Sequence, residues 1–98
     1  MTYLEETYTE TVRTVVRQMQ VRKEENWTLT SVLSETTAAG RRYYSITAAV
    51  GKDEAAEDIC TVSDITGDPA EAERIFRMIT DGFVMPCTLE DVISDILG

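Results

Sequence analysis

From Arg42 to Val50 the chain alternates without a break. Tyr44, Ile46, Ala48 and Val50 fall on one side, and Tyr43, Ser45, Thr47 and Ala49 on the other. A period of two is the mark of a half-buried strand. Upstream the pattern is less direct. Leu4, Tyr8, Val12, Val15, Val16 and Met19 recur at helical spacing, but Thr9, Thr11, Val12, Thr14, Val15, Val16 and Val21 are β-branched. Branching at Cβ restricts χ1 against a helical turn and suits a pleated surface, so a strand is expected from about Glu10 to Arg22. The polar run Arg22-Lys23-Glu24-Glu25-Asn26 turns the chain. A second strand follows over Trp27 to Thr36, with Trp27, Leu29 and Leu33 among its apolar positions. Thr37-Ala38-Ala39-Gly40 is expected to be a loop in which Gly40 can take positive φ. Gly51-Lys52-Asp53-Glu54 is a further turn, and Ala55 to Ile65 a fourth strand that ends irregularly through Ser63-Asp64-Ile65.

Beyond residue 66 the period changes to that of a helix. Asp68-Pro69-Ala70-Glu71 is a helix start: Asp68 can accept from unpaired N–H groups, Pro69 suits the first turn, and Glu71 stands where a capping box needs it. Ala72, Ile75, Phe76 and Ile79 make one apolar stripe, with Glu73 and Arg77 four apart outside it. The helix is expected over about 69–81, closed by Gly82 in a left-handed cap. Phe83 and Val84 then fold back as apolar plugs. Thr88 is expected to cap a second helix over about 89–97, with Leu89, Val92, Ile93, Ile96 and Leu97 on one face. So short a helix must be held by packing. Strands followed by helices predict an α+β fold: an antiparallel four-stranded meander over residues ~10–65 with both C-terminal helices on one face.

Composition leaves this picture standing and narrows its size. At 98 residues, 43% hydrophobic and 28% charged, the chain is ordinary globular material for one domain. Residues 1–9 are expected to form a flexible N-terminal arm and residues 10–98 a single α+β domain. The opening Met1-Thr2-Tyr3-Leu4-Glu5-Glu6 lacks the basic and apolar regions of a secretory signal, so a cytoplasmic location is expected. No apolar run reaches the ~20 residues of a membrane helix. Cys60 and Cys87 then read as small buried hydrophobes of a reducing compartment rather than a disulfide.

Charge is uneven. Residues 1–49 balance six basic against six acidic side chains, whereas residues 50–98 set three basic against twelve acidic, which accounts for the net −9. Such a field repels phosphate backbones, and nucleic acid is not an expected partner.

The chain holds no histidine, which removes the commonest general base and metal ligand. No phosphate-binding glycine loop, nucleophile elbow or zinc spacing appears. No catalytic residue, metal or cofactor is therefore assigned. Asp91 and Asp95, with Glu90 beside them, read as the solvated face of a helix rather than a cation site. Asp64 and Asp68 read as turn and cap residues. Cys87 precedes a helix N-terminus, where a thiolate gains stability, but burial against Pro86 and Leu89 is the simpler expectation. Arg13, Arg17, Arg41 and Arg42 form the one candidate basic cluster, with Glu10 and Glu35 available to neutralise it.

Three runs carry a family resemblance: Tyr44-Ser45-Ile46, Val62-Ser63-Asp64-Ile65-Thr66-Gly67-Asp68, and Val84-Met85-Pro86-Cys87-Thr88-Leu89-Glu90-Asp91-Val92-Ile93-Ser94-Asp95-Ile96-Leu97. Over about residues 28–97 the chain resembles a family of short clostridial-type bacterial proteins catalogued as a domain of unknown function. The resemblance implies a cytosolic bacterial protein of one domain and brings no activity or site residue. What is left is an expectation by elimination: a small interaction module that is not an enzyme. Two helices cover one side of the sheet, and the other side presents Tyr43, Thr47 and Ala49 with Arg13, Arg17, Arg41 and Arg42 nearby. A protein partner or self-association is expected there, through the face or an edge. The alternative is a small-ligand-binding regulator with a pocket between sheet and helices, where Arg41 or Arg42 reads an anion.

Overall fold

The computed structural model describes residues 12–52 and 55–98. The elements are β1 (Val12–Lys23), β2 (Thr28–Ala38), β3 (Arg41–Lys52), β4 (Ala55–Thr66), α1 (Pro69–Asp81) and α2 (Pro86–Leu97). The strands form one antiparallel sheet in the order β1-β2-β3-β4, followed by the two helices, an α+β meander as expected. The arm expected over residues 1–9, the first residues of the expected first strand and the turn residues 53–54 lie outside the described residues.

The alternation in β3 sorts the sheet into two faces. Tyr44, Ile46 and Ala48 are buried on the helix side, level with Glu35, Leu33 and Ser31 of β2. Ala72, Ile75, Phe76 and Ile79 of α1 and Leu89 and Ile93 of α2 close over them, joined by Ile65 and Val84. Each buried Ile, Leu, Phe or Val side chain contributes roughly 1.5–3 kcal/mol through the apolar surface it takes from water. This core holds α2, which is too short to persist alone.

Several local expectations are corrected. Thr37 and Ala38 belong to β2, and the β2–β3 connection is only Ala39-Gly40, with φ of 54° and 75°. Paired strands flank it directly, Ala38 opposite Arg41. Asp68 caps α1 by accepting from the Ala70 N–H at 3.1 Å. Glu71 does not complete a capping box, nor does Glu73 pair with Arg77 among the ion pairs found. Glu71 instead takes Arg74 at 2.5 and 3.0 Å, which holds its carboxyl below the ordinary range. Gly82 is not the left-handed residue. Phe83 is, at φ 55°, because the Val84 N–H reaches Ile79 O and the Phe83 N–H reaches Thr80 O, a Schellman closure one residue later than expected. Phe83 is no buried plug either. It is 45% exposed and lies under the Arg22 guanidinium, 3.6 Å from ring centroid to Cζ. Finally, α2 begins at Pro86 with Met85 as its cap residue, so Thr88 sits inside the first turn. Pro86 is pre-organised for the first helical position.

Candidate functional site

The helices pack on one face of the sheet and leave the other open apart from the buried Thr36 and Ser45. Among the described residues, they approach β1 only through Phe83 under Arg22 and through the groove shared by Arg17, Gln18, Pro69 and Glu73. Every residue of β1 except Arg22 is exposed. Facing away from the helices stand Thr14, Val16, Met19 and Val21 on β1, Thr30, Val32, Ser34 and Thr36 on β2, Tyr43, Ser45, Thr47 and Ala49 on β3, and Ile59 and Thr61 on β4. None of these is charged. Val16 is 54% exposed, Met19 59%, Val21 51% and Ile59 63%, values far above those of apolar residues with a partner. Threonine hydroxyls on this face satisfy one another across strands, Thr14 with Thr36 at 3.1 Å and Thr47 with Thr61 at 2.8 Å. These four hydroxyls keep a partner if the face is buried, whereas Thr30, Ser34, Ser45 and the Tyr43 hydroxyl would look to the docked surface for theirs. Among the described residues, charge returns towards the ends, with Lys23 at one and the Arg41–Asp64 pair at the other, 2.6 Å apart. The exposed apolar side chains of this face stand on the edge strands β1 and β4, with mostly serine and threonine on β2 and β3 between them.

Of the expected interaction residues, Tyr43, Thr47 and Ala49 all lie on this face. The arginines do not join them as a group. Arg41 does lie at its end, its guanidinium 5.4 Å from the Tyr43 ring centre. Arg13, Arg17 and Arg42 belong to the helix side, where they surround Glu35. The β1 ladder shifts register between Val16 and Gln18, and the extra residue, Arg17, swings to Glu35 at 2.5 Å. Arg42 lies 3.8 Å from the other oxygen of the same carboxylate. Arg13 lines the adjoining depression with Val15, Arg17, Glu35 and Thr37. Glu35 is buried, and the two guanidiniums compensate a carboxylate that would otherwise be costly there.

Beside this cluster runs a groove of about 360 Å³, floored by Leu33 and Tyr44 and walled by Arg17, Arg42, Pro69 and Glu73. It is the pocket between sheet and helix that the alternative reading requires. Much of its charge is spent internally, however, since Arg17 and Arg42 both pair with Glu35.

The other candidates stay apart. Asp64 takes φ 55° in the irregular end of β4 and pairs with Arg41. Asp91 and Asp95 are exposed on α2. Among the described residues no group of three His, Cys, Asp or Glu side chains is placed to hold a metal ion. Both cysteines are free, Cys60 packed partly against the core. Cys87 is exposed, contrary to the expected burial, because α2 starts at Pro86 and turns position 87 outward. Missed altogether were Val16, Met19, Val21 and Ile59. The β-branched residues of β1 signalled a strand, but nothing in them marked that strand as an edge with two open sides.

No helix among the described residues is long and apolar enough to cross a membrane. No curated protein and no solved structure matches the chain. A family model does, over residues 5–98: the chain belongs to DUF6514, a family of unknown function.

Proposed function

We propose that this DUF6514 protein is a protein-interaction module that docks a partner on the open face of its sheet. One observation carries the proposal: an uncharged face spanning four strands, with Val16, Met19, Val21 and Ile59 each more than half exposed. Exposed apolar side chains, Val16, Met19 and Val21 together on β1 and Ile59 across the sheet on β4, are costly in water and mark a place where another surface belongs. The two free cysteines support a reducing setting, the cytosol of a bacterium, in keeping with the resemblance of the closing helix sequence. Nothing in the reading requires catalysis.

Native mass spectrometry of the chain isolated from its own cell tests the proposal. The chain is expected to carry a second protein mass in whole-number ratio. Tyr43→Glu with Ala49→Arg removes that mass, while Glu90→Arg on the helix surface leaves it. If both variants carry the same masses as the parent, the docking face is refuted.

A second reading has its own observation in the groove lined by Arg17, Arg42, Leu33 and Tyr44. A small acid seated there would exchange one guanidinium contact of Glu35 for its own. Tight binding must raise the thermal midpoint. A screen with phosphate, nucleotides and small dicarboxylates that moves the midpoint of the parent but not of Arg42→Ala supports this reading; an unmoved midpoint removes it.

A further inference from the structure

The occupant of the open face can be taken further, resting on the docking reading above. We infer that it is a second copy of this chain, packed sheet on sheet about a two-fold axis that runs along the strands.

Area comes first. Four strands at about 4.8 Å spacing and ten paired positions at about 3.4 Å give a face of roughly 650 Å² in flat projection. That projection approaches the ~800 Å² per partner of a standard interface, with Thr36 and Ser45 already buried within it. Two such faces pack about 10 Å apart with strands some 30° from parallel, the arrangement of a β-sandwich.

Charge decides between the ways in which two copies could pack. The chain carries a net −9, so two copies repel unless their acids stay apart. Glu71, Glu73, Asp81, Glu90, Asp91 and Asp95 all ride on the helices, on the far side of the sheet. Face-to-face packing puts two sheets between the helix layers, a separation of roughly 30 Å from sheet spacing and helix diameter. That exceeds the ~8 Å screening length severalfold. Packing helix layer to helix layer would press the same acids together.

The edges then fix the axis. β1 carries Arg13, Arg17, Arg22 and Lys23 and no carboxylate. β4 carries Glu57, Asp58 and Asp64 and no cation. A two-fold along the strands lays β1 over the partner's β4 and β4 over the partner's β1. Lys23, the β1 cation on the open face, then stands above an acidic edge, while Arg13, Arg17 and Arg22 stay on the helix side. A two-fold across the strands lays β1 over β1 and is opposed. In the favoured arrangement the height of each residue is kept. Val21 and Ile59 stand level through Thr30 and Ala49, so each meets the other across the interface. Lys23 meets the end of β4 that holds Glu57. Edge-to-edge addition of two β1 strands is excluded by the same four cations and by the bulge at Arg17, both of which guard an edge against pairing.

Sedimentation equilibrium of the purified full chain gives the test. A dimer is expected at micromolar concentration. Val16→Glu and Met19→Glu, at exposed positions that leave the monomer folded, are expected to raise the dimer dissociation constant by about 100-fold, since each buries unpaired charge. Lys23→Glu and Glu57→Lys each weaken the dimer, and the double exchange restores it, which a merely sticky face does not do. A chain that sediments as a monomer, or a dimer indifferent to Val16→Glu, overturns the inference. A monomer that nonetheless loses a different bound protein on Val16→Glu overturns self-association alone and leaves the docking face intact. A monomer whose bound proteins ignore the substitution overturns both.

Discussion

Ala39 shows most directly what a single side chain costs this fold. It shares a two-residue hairpin turn with Gly40, and both have positive φ. That geometry matches the right-handed twist of the flanking strands and favours Asn-Gly. Gly40 adopts it freely, whereas the Cβ of Ala39 meets its own carbonyl at a cost of about 1 kcal/mol. Ala39→Asn is therefore expected to stabilise the protein by roughly 0.5–1 kcal/mol, read as a higher urea midpoint at unchanged slope. An unchanged or lower midpoint would show that the turn is not strained. The turn's length was not legible because Thr37-Ala38-Ala39-Gly40 holds no Asn or Asp to mark its first position. Phe83 is a similar case. Gly82 offered the obvious left-handed residue, but the apolar contacts of Val84 and Ile79 set the helix end, and they place Phe83 there instead.

At the level of elements, legibility followed burial. The α1 stripe and the β3 alternation were plain because each has one dry side and one wet side. Ile46 is fully buried at the centre of that dry side. Ile46→Ala is expected to cost roughly 2–4 kcal/mol, the transfer term plus the cavity left behind. Val16→Ala, on the open face of β1, is expected to stay within about 0.5 kcal/mol when unfolding is followed at sub-micromolar concentration. Equal losses would mean that the two faces are equally packed, contrary to the structure. Elements with no dry side were harder to read. β1 was identified as a strand through its branched residues, yet its exposure on both sides depends on which strand lies beside it. That is a fact of topology, absent from any local pattern. The start of α2 was misread for a related reason: Pro86 fits equally well before a helix or as its first residue, and only packing distinguishes them.

Across the whole molecule, the split in charge between the two halves of the chain was visible in composition, but its layering was not. Counting places the acids late in the sequence; folding places many of them on one outer surface, with an uncharged sheet face turned the other way. The arginine cluster shows the same limit. Its members were named, and the structure gathers three of the four about Glu35 while Arg41 goes to Asp64. The sheet order carries a mechanical corollary. Because Val12 pairs with Ala38 and Lys23 with Thr28, a pull on the chain ahead of β1 loads its hydrogen bonds to β2 one pair at a time. The strand would unzip rather than shear, and with no helix clamped over it, it yields before the core feels the load. Anything tethered at that end loads this one ladder first.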